Sequence, residues 1–245
     1  MARPLLVYCQ AGNRRMAEIA LQVGFAYGAR LPDTTYWPLV FVDNDYRRPN
    51  RQAYMAALAR ERPEMATVLD WQRDEQLAEV LSWAEEAAQF AQRIIVIPKV
   101  QGGIPRIPRQ IGGRDVVLGY SVPTRYGGTE VPAWEWAGWP IHLLGGSPHA
   151  QMRCYLHLAA VAEVVSADGN MAQKMATRWC QFWVPGVARY ASNRWWPTLV
   201  EADGVRWPVD APYESFRRSC VNIMAAWRRL VDDEVVEGGL ACSAG

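Results

Sequence analysis

Glu163-Val164-Val165-Ser166-Ala167-Asp168 is an apolar run that ends on a carboxylate just before a turn, and the chain repeats that design. Leu39-Val40-Phe41-Val42-Asp43 and Ala66-Thr67-Val68-Leu69-Asp70 end in the same way. A run rich in Val, Leu, Ile and Phe without polar alternation suits a strand covered on both faces. A carboxylate at the C-terminal end of such a strand sits where α/β folds place their chemistry. Three of them in one chain predict a cleft lined by carboxylates.

Working outward, strand-like runs recur at 4–9, 39–43, 66–70, 94–100, 116–120, 141–144 and 164–167. Helical patterns lie between most of them, at 16–23, 50–62, 74–92, 147–161 and 170–179. Asn50 and Ser147 stand at N-cap positions, with Pro148 in the first turn behind Ser147. Leu77, Val80, Leu81, Ala84, Ala88 and Phe90 form an apolar stripe close to the helical period. Alternating β and α units imply a parallel sheet. Seven such runs in 245 residues predict a TIM-type (β/α)8-like barrel, compact or incomplete, with an open doubly wound sheet as the alternative. The barrel core is expected over 1–180. From 181 to 237 the texture turns Trp- and Pro-rich, with one long helix near 213–232, and reads as an extension that completes or covers the barrel. The small residues of 238–245 read as a disordered tail.

Half the residues are hydrophobic and 21% are charged, which predicts a packed globular core. The net charge of +1 excludes a global positive field, so any nucleic-acid surface must be local. The cations are 24 Arg and only two Lys, Lys99 and Lys174. Five scattered cysteines without a CxxC pair favour reduced thiols and a cytoplasmic location. No apolar run reaches the length of a membrane span, and the start lacks a signal-peptide layout, so no membrane partner is expected.

The residues that can carry chemistry cluster at the strand ends. Asp168 precedes a helix and also fits a cap; Asp43 and Asp45 flank Asn44 ahead of Arg47 and Arg48 and also fit a solvated turn. Trp71 after Asp70 suits either the face of a planar ligand or the core. Gly-rich turns at 101–103, 119–121 and 145–147 permit close backbone approach or merely serve the turn. There is no GxGxxG, Walker loop, GxSxG or HExxH, so no nucleotide or metal cofactor is expected. His142, His149 and His157 lack metal-ligand spacing and read as structural.

The ordered series Val42-Asp43-Asn44-Asp45-Tyr46, Leu69-Asp70, Val100-Gln101-Gly102-Gly103, Leu118-Gly119-Tyr120-Ser121, Leu143-Leu144-Gly145-Gly146 and Ala167-Asp168 resembles the guanine transglycosylases over residues 4–180. These TIM-barrel enzymes exchange a guanine in nucleic acid for a 7-deazaguanine. The compact length, with Gln10-Ala11-Gly12-Asn13 and Gly24-Phe25-Ala26-Tyr27-Gly28, is closer to the DNA-modifying (DpdA-type) branch of phages and bacteria than to the tRNA enzymes. The resemblance implies that Asp168 is the nucleophile at the sugar C1′ and that Asp43 is the general acid/base. The family motif there reads Asp-Ser-Gly-Gly, so Asp45 stands as the alternative acid/base. It implies that Asp70 reads the guanine edge, Gln101 its carbonyl, and the Gly119 and Tyr120 backbones the rest of the base, with Asp45 and Tyr46 also at the substrate. Lys174 then lies near the nucleic-acid backbone.

The chemistry of such an exchange matches a retaining glycosidase, with two carboxylates about 5 Å apart, one nucleophilic and one moving the proton. The target nucleoside must leave its stack, so a flipped or single-stranded substrate is expected. Arg14, Arg15, Arg47, Arg48, Arg125, Lys174 and Arg178 lie beyond the predicted strand ends, where cations hold phosphates. The expected partners are DNA and a 7-deazaguanine base such as preQ0, with a helper protein or a second copy of the chain as further candidates. The tRNA enzymes carry zinc on CxCxxC and a distant His, a spacing absent here, so zinc is not expected. A tRNA-directed enzyme and a catalytically inactive nucleic-acid-binding barrel are the alternative readings.

Overall fold

The computed structural model describes residues 3–10, 12–124, 127–186, 196–204 and 210–242. Nine strands follow in chain order: β1 (Leu5–Cys9), β2 (Ala26–Arg30), β3 (Phe41–Asp43), β4 (Met65–Trp71), β5 (Arg93–Pro98), β6 (Gln110–Ile111), β7 (Arg114–Ser121), β8 (Pro140–Leu144) and β9 (Glu163–Gly169). All but β6 run parallel and close into an eight-stranded barrel. The seam is shut where β1 pairs with both β2 and β9, and where β5 pairs with β7 across the short antiparallel β6. The fold is therefore a TIM-type α/β barrel, complete in its strands, and the open-sheet alternative is set aside.

The sequence reading omits the two-residue β6 and, within the barrel wall, β2. Ala26-Tyr27-Gly28-Ala29-Arg30 carries no branched apolar run, because small residues are needed where the barrel wall is crowded. A Cβ on Gly28 would lie 2.8 Å from Val7 Cγ1 and 2.9 Å from the Phe41 carbonyl oxygen. Packing against neighbours thus overrides strand propensity here.

Helices α1 (Arg14–Val23), α2 (Arg51–Glu61), α3 (Leu77–Ala87), α4 (Pro148–Leu158) and α5 (Met171–Trp179) follow β1, β3, β4, β8 and β9. Their starts are fixed locally. Asn13, Asn50 and Ser147 side chains accept from the backbone N–H groups of Met16, Ala53 and Ala150, satisfying donors that have no partner within the helix. The 74–92 pattern begins as a single 3-10 turn (Asp74–Gln76) before α3 takes over. The β2–β3 and β7–β8 connections are instead loops, the second with a 3-10 turn at Ala133–Trp136.

Two apolar layers result. Val7, Cys9, Phe41, Met65, Ile95, Ile97 and Val117 fill the barrel. Leu6, Tyr8, Val42, Val68, Val96, Leu118 and Leu143 face outward against the helices. The short α6 (Leu199–Asp203) and the long α7 (Ala211–Cys242) complete the chain. The sequence reading ends this last helix near residue 232; its backbone continues through 238–242, and 243–245 lie outside the described residues. Phe216, Cys220, Ile223, Trp227 and Val231 recur at helical spacing and are buried. α7 packs on α1 and α5, with Phe216 against Tyr8 and Trp227 edge-on to Tyr155. The extension therefore covers the outer wall beside β1 and β9.

Candidate functional site

Two irregularities in the barrel wall decide which side chains reach its mouth. In β4, Met65 packs in the interior and Thr67 bonds to Asp43, so strict alternation would turn Leu69 inward and Asp70 outward. The register shifts between Thr67 and Asp70, Leu69 packs on the outer layer, and Asp70 faces the mouth instead. In β9, Ile141 of β8 opposes Val164 but His142 opposes Ser166, leaving Val165 as the extra residue. Val164 and Ala167 face out while Ser166 and Asp168 face in. Bulges of this kind re-aim a side chain at the cost of one unpaired residue.

Asp168 is buried, 9% exposed, and tightly held. Its Oδ1 accepts from the Gly145 N–H at 3.0 Å and lies 3.2 Å from His142 Nε2. His142 is fully buried, its Nδ1 is 2.7 Å from Ser166 Oγ, and its ring stacks on Phe41. A carboxylate accepts only, which assigns the imidazole proton to Nε2 and leaves Nδ1 to accept from the Ser166 hydroxyl. Gln151 Nε2 ties the loop from below, donating to the carbonyls of Gly145 (2.8 Å) and Asp168 (2.5 Å).

Asp43, across β1 and β2 from Asp168, has a different environment. Burial first, and then the negative charge of Asp168, push its carboxyl from the ordinary 3.8 up to about 7. The Thr67 hydroxyl donates to Asp43 Oδ1 at 2.9 Å, which pulls the other way without winning. Cys9 stands between the two acids on β1. Burial, followed by the charges of Asp168 and Asp43, raises its thiol well above the usual range, so it is a neutral spacer rather than a thiolate nucleophile. Two acids that feel each other, in unlike surroundings, are the arrangement from which acid and nucleophile roles are separated.

Beside Asp43, Lys99 Nζ lies 2.6 Å from Asp70 Oδ2, both side chains largely withdrawn from solvent. Round the mouth the order is therefore Asp168, Cys9, Arg30, Asp43, Asp70, Lys99, one from each successive strand or strand end. Among the described residues no group of three or more His, Cys, Asp or Glu is arranged to hold a metal ion.

The remaining expected residues are placed as follows. Asp45 turns to the rim, 3.6 Å from Arg30 and accepting from the Arg47 N–H at 3.2 Å, so it is outside the buried pair. Tyr46 is exposed and its hydroxyl accepts from Arg47 Nε. Gln101 is exposed on the loop after β5, its amide 3.4 Å from the Glu130 carbonyl. Gly119 and Tyr120 lie near the C-terminal end of β7, in strand rather than in a turn. A Cβ at Gly119 would lie 2.8 Å from both Ile97 and Leu144, so its smallness serves interior packing, and the Tyr120 ring points outward, edge-on to Trp136. Trp71 is likewise core, fully buried with Nε1 donating to the Arg73 carbonyl.

Arg47, Arg48 and Lys174 are exposed on the rim side. Arg178 sits in the last turn of α5, a turn further from the mouth, and Arg15 is committed to Asp210 at 2.8 Å and to the face of Tyr213. Arg125 lies outside the described residues.

Sequence reasoning missed Lys99, Thr67, Ser166 and the role of His142. The usable signal was a lone polar residue inside an apolar strand, as in Ile141-His142-Leu143 and Ala66-Thr67-Val68, where a buried polar group demands a partner. Replacing His142 by Leu leaves one Asp168 acceptor site short of a partner and the Ser166 hydroxyl with only the Met65 thioether at 3.8 Å. We expect a loss of about 2–4 kcal/mol in urea unfolding; an unchanged midpoint would mean that this relay carries no stability.

The profile of a family described as a family of unknown function (DUF6610) matches residues 20–228, and the chain belongs to that family. No curated protein matches it.

Proposed function

We propose that this DUF6610 member is a transglycosylase that exchanges guanine in DNA for a 7-deazaguanine base. The observation that carries the reading is the split pair of acids, Asp43 raised to about 7 and Asp168 pinned by two donors, at the C-terminal mouth of a complete barrel. In this reading the Asp168 oxygen not tied to His142 and Gly145 attacks the sugar C1′. The bond from C1′ to guanine breaks, and protonated Asp43 gives its proton to the departing base. The resulting aspartyl-sugar ester carries the inverted configuration at C1′, and the second displacement restores the original one. The incoming 7-deazaguanine gives its ring N–H proton back to Asp43 as its nitrogen displaces Asp168 from C1′. Atoms and protons balance, and the enzyme returns to its starting state.

Asp43 is favoured over Asp45 as the acid, because Asp45 is engaged on the surface with Arg30. Exposed Arg47, Arg48 and Lys174 are suited to phosphates near the rim, and a net charge of +1 fits a short local contact rather than a long basic channel. The ordered strand-end motifs support the same class of reaction. The deciding experiment offers labelled 7-deazaguanine base with duplex DNA, single-stranded DNA and tRNA. Label in DNA is expected. Label in tRNA alone would move the polymer, and label in none, with DNA bound, would replace exchange by a binding role.

A further inference from the structure

We infer that Lys99 and Asp70 form one recognition element for a lactam edge, the O=C–N–H side of a guanine-type base, with Lys99 setting the specificity. The inference rests on the base-exchange reading of this mouth, and its chemistry comes from the pair itself. Lys99 Nζ sits 2.6 Å from Asp70 Oδ2, with the two side chains only 25% and 14% exposed. Among the described residues no hydrogen bond reaches Asp70 Oδ1. The ammonium has three donors and is ion-paired to one oxygen of Asp70. A free acceptor and spare donors thus stand side by side, facing the mouth.

The choice of lysine is informative in this chain. Of its 26 cations 24 are arginine, so a simple neutralising charge would be expected to be arginine. An arginine fork takes both oxygens of a carboxylate, whereas a lysine is a point donor that takes one. Lysine therefore leaves Oδ1 open. The bulge in β4 turns Asp70 inward when strict alternation would have turned it out, and its position next to Asp43 puts the pair one strand beyond the acid. The order nucleophile, acid, edge reader follows the order sugar, departing nitrogen, base edge of a bound nucleoside.

A guanine edge offers the O6 acceptor next to the N1–H donor, and the 7-deaza base keeps both; adenine offers a donor next to an acceptor. Lys99 to O6 and Asp70 Oδ1 to N1–H satisfy the first and leave unmatched groups against the second. Calorimetric titration of the full chain with 7-deazaguanine and with adenine reads this directly, without any transfer step. The wild type is expected to bind 7-deazaguanine at least about tenfold more tightly than adenine. Lys99→Met is expected to lose about tenfold or more for 7-deazaguanine and little for adenine. Lys99→Arg keeps the ion pair, and hence the fold, but fills both Asp70 oxygens, and is expected to lose 7-deazaguanine as well.

Equal binding of the two bases, no binding of either by the wild type, or wild-type affinity in both variants would overturn the inference. Selective binding that depends on Lys99, without incorporation of label into any nucleic acid, would leave this edge reader standing and remove the exchange reading. Incorporation that is indifferent to Lys99 would do the reverse.

Discussion

Asp168→Asn is expected to lower base exchange by about 10,000-fold or more while the protein stays folded. The size of the loss follows from the role: an amide cannot form the ester to C1′, so the covalent path closes rather than slows. The survival of the fold follows from the contacts. Asn retains an Oδ1 for the Gly145 N–H and His142 Nε2, which are the bonds that hold residue 168 in place. Two readouts check the result together. Denaturing gels should show a protein–DNA adduct for the wild type and none for Asp168→Asn, and thermal unfolding should shift by no more than a few degrees. Exchange at the wild-type rate in the variant would take the nucleophile role away from Asp168.

Asp43→Asn is expected to stop exchange too, but to make the protein more stable above neutral pH. Because its folded value is raised from 3.8 to about 7, the folded state holds a proton that the unfolded chain has released. Its contribution to stability is thus fully present below about pH 4 and is lost as pH rises through about 7. At about 1.4 kcal/mol per unit the loss approaches about 4 kcal/mol as a ceiling, since the side chain keeps some contact with water. Asn carries no charge to desolvate and can still accept from the Thr67 hydroxyl. Urea unfolding at pH 5 and pH 8 should show the wild type weakening between the two and the variant nearly flat. Exchange by the wild type should fall above pH 7, where the acid that protonates the departing base is spent. A wild type with no such weakening would show that Asp43 is already ionised well below neutral pH.

The parts of this molecule that were legible in its sequence are those governed by local rules. The apolar runs of β3, β4 and β9 and the caps Asn50 and Ser147 could be read off directly, because burial on both faces and an unpaired N–H each leave a residue-level mark. The carboxylates Asp43, Asp70 and Asp168 could be named from their strand ends, and all three do face one mouth. What could not be read is set by neighbours distant in sequence. β2 is strand because Val7 and Phe41 leave room only for Gly28. The two bulges invert the facing of Asp70 and Asp168, and nothing in Val68-Leu69 or Val164-Val165 announces an unpaired residue. His142 looked structural and is, yet the group it steadies is the proposed nucleophile. Gly119 and Tyr120 looked like a turn and are strand, where Ile97 and Leu144 crowd Gly119 and Trp136 packs edge-on to the Tyr120 ring.

The seam between β1 and β9 has a consequence for how the protein comes into being. Leu5 through Tyr8 pair with Ser166 through Gly169, so the first strand of the barrel waits for its last. Until then β1 keeps an open edge, Cys9 has no acid on its far side, and Tyr8 lacks both its bond to Gln173 and the cover of Phe216. A nascent chain released before residue 169 would expose a sticky strand edge and hold Asp43 without Asp168. The assembled pair of acids and protection of the β1 edge therefore arrive in the same step, when β9 docks.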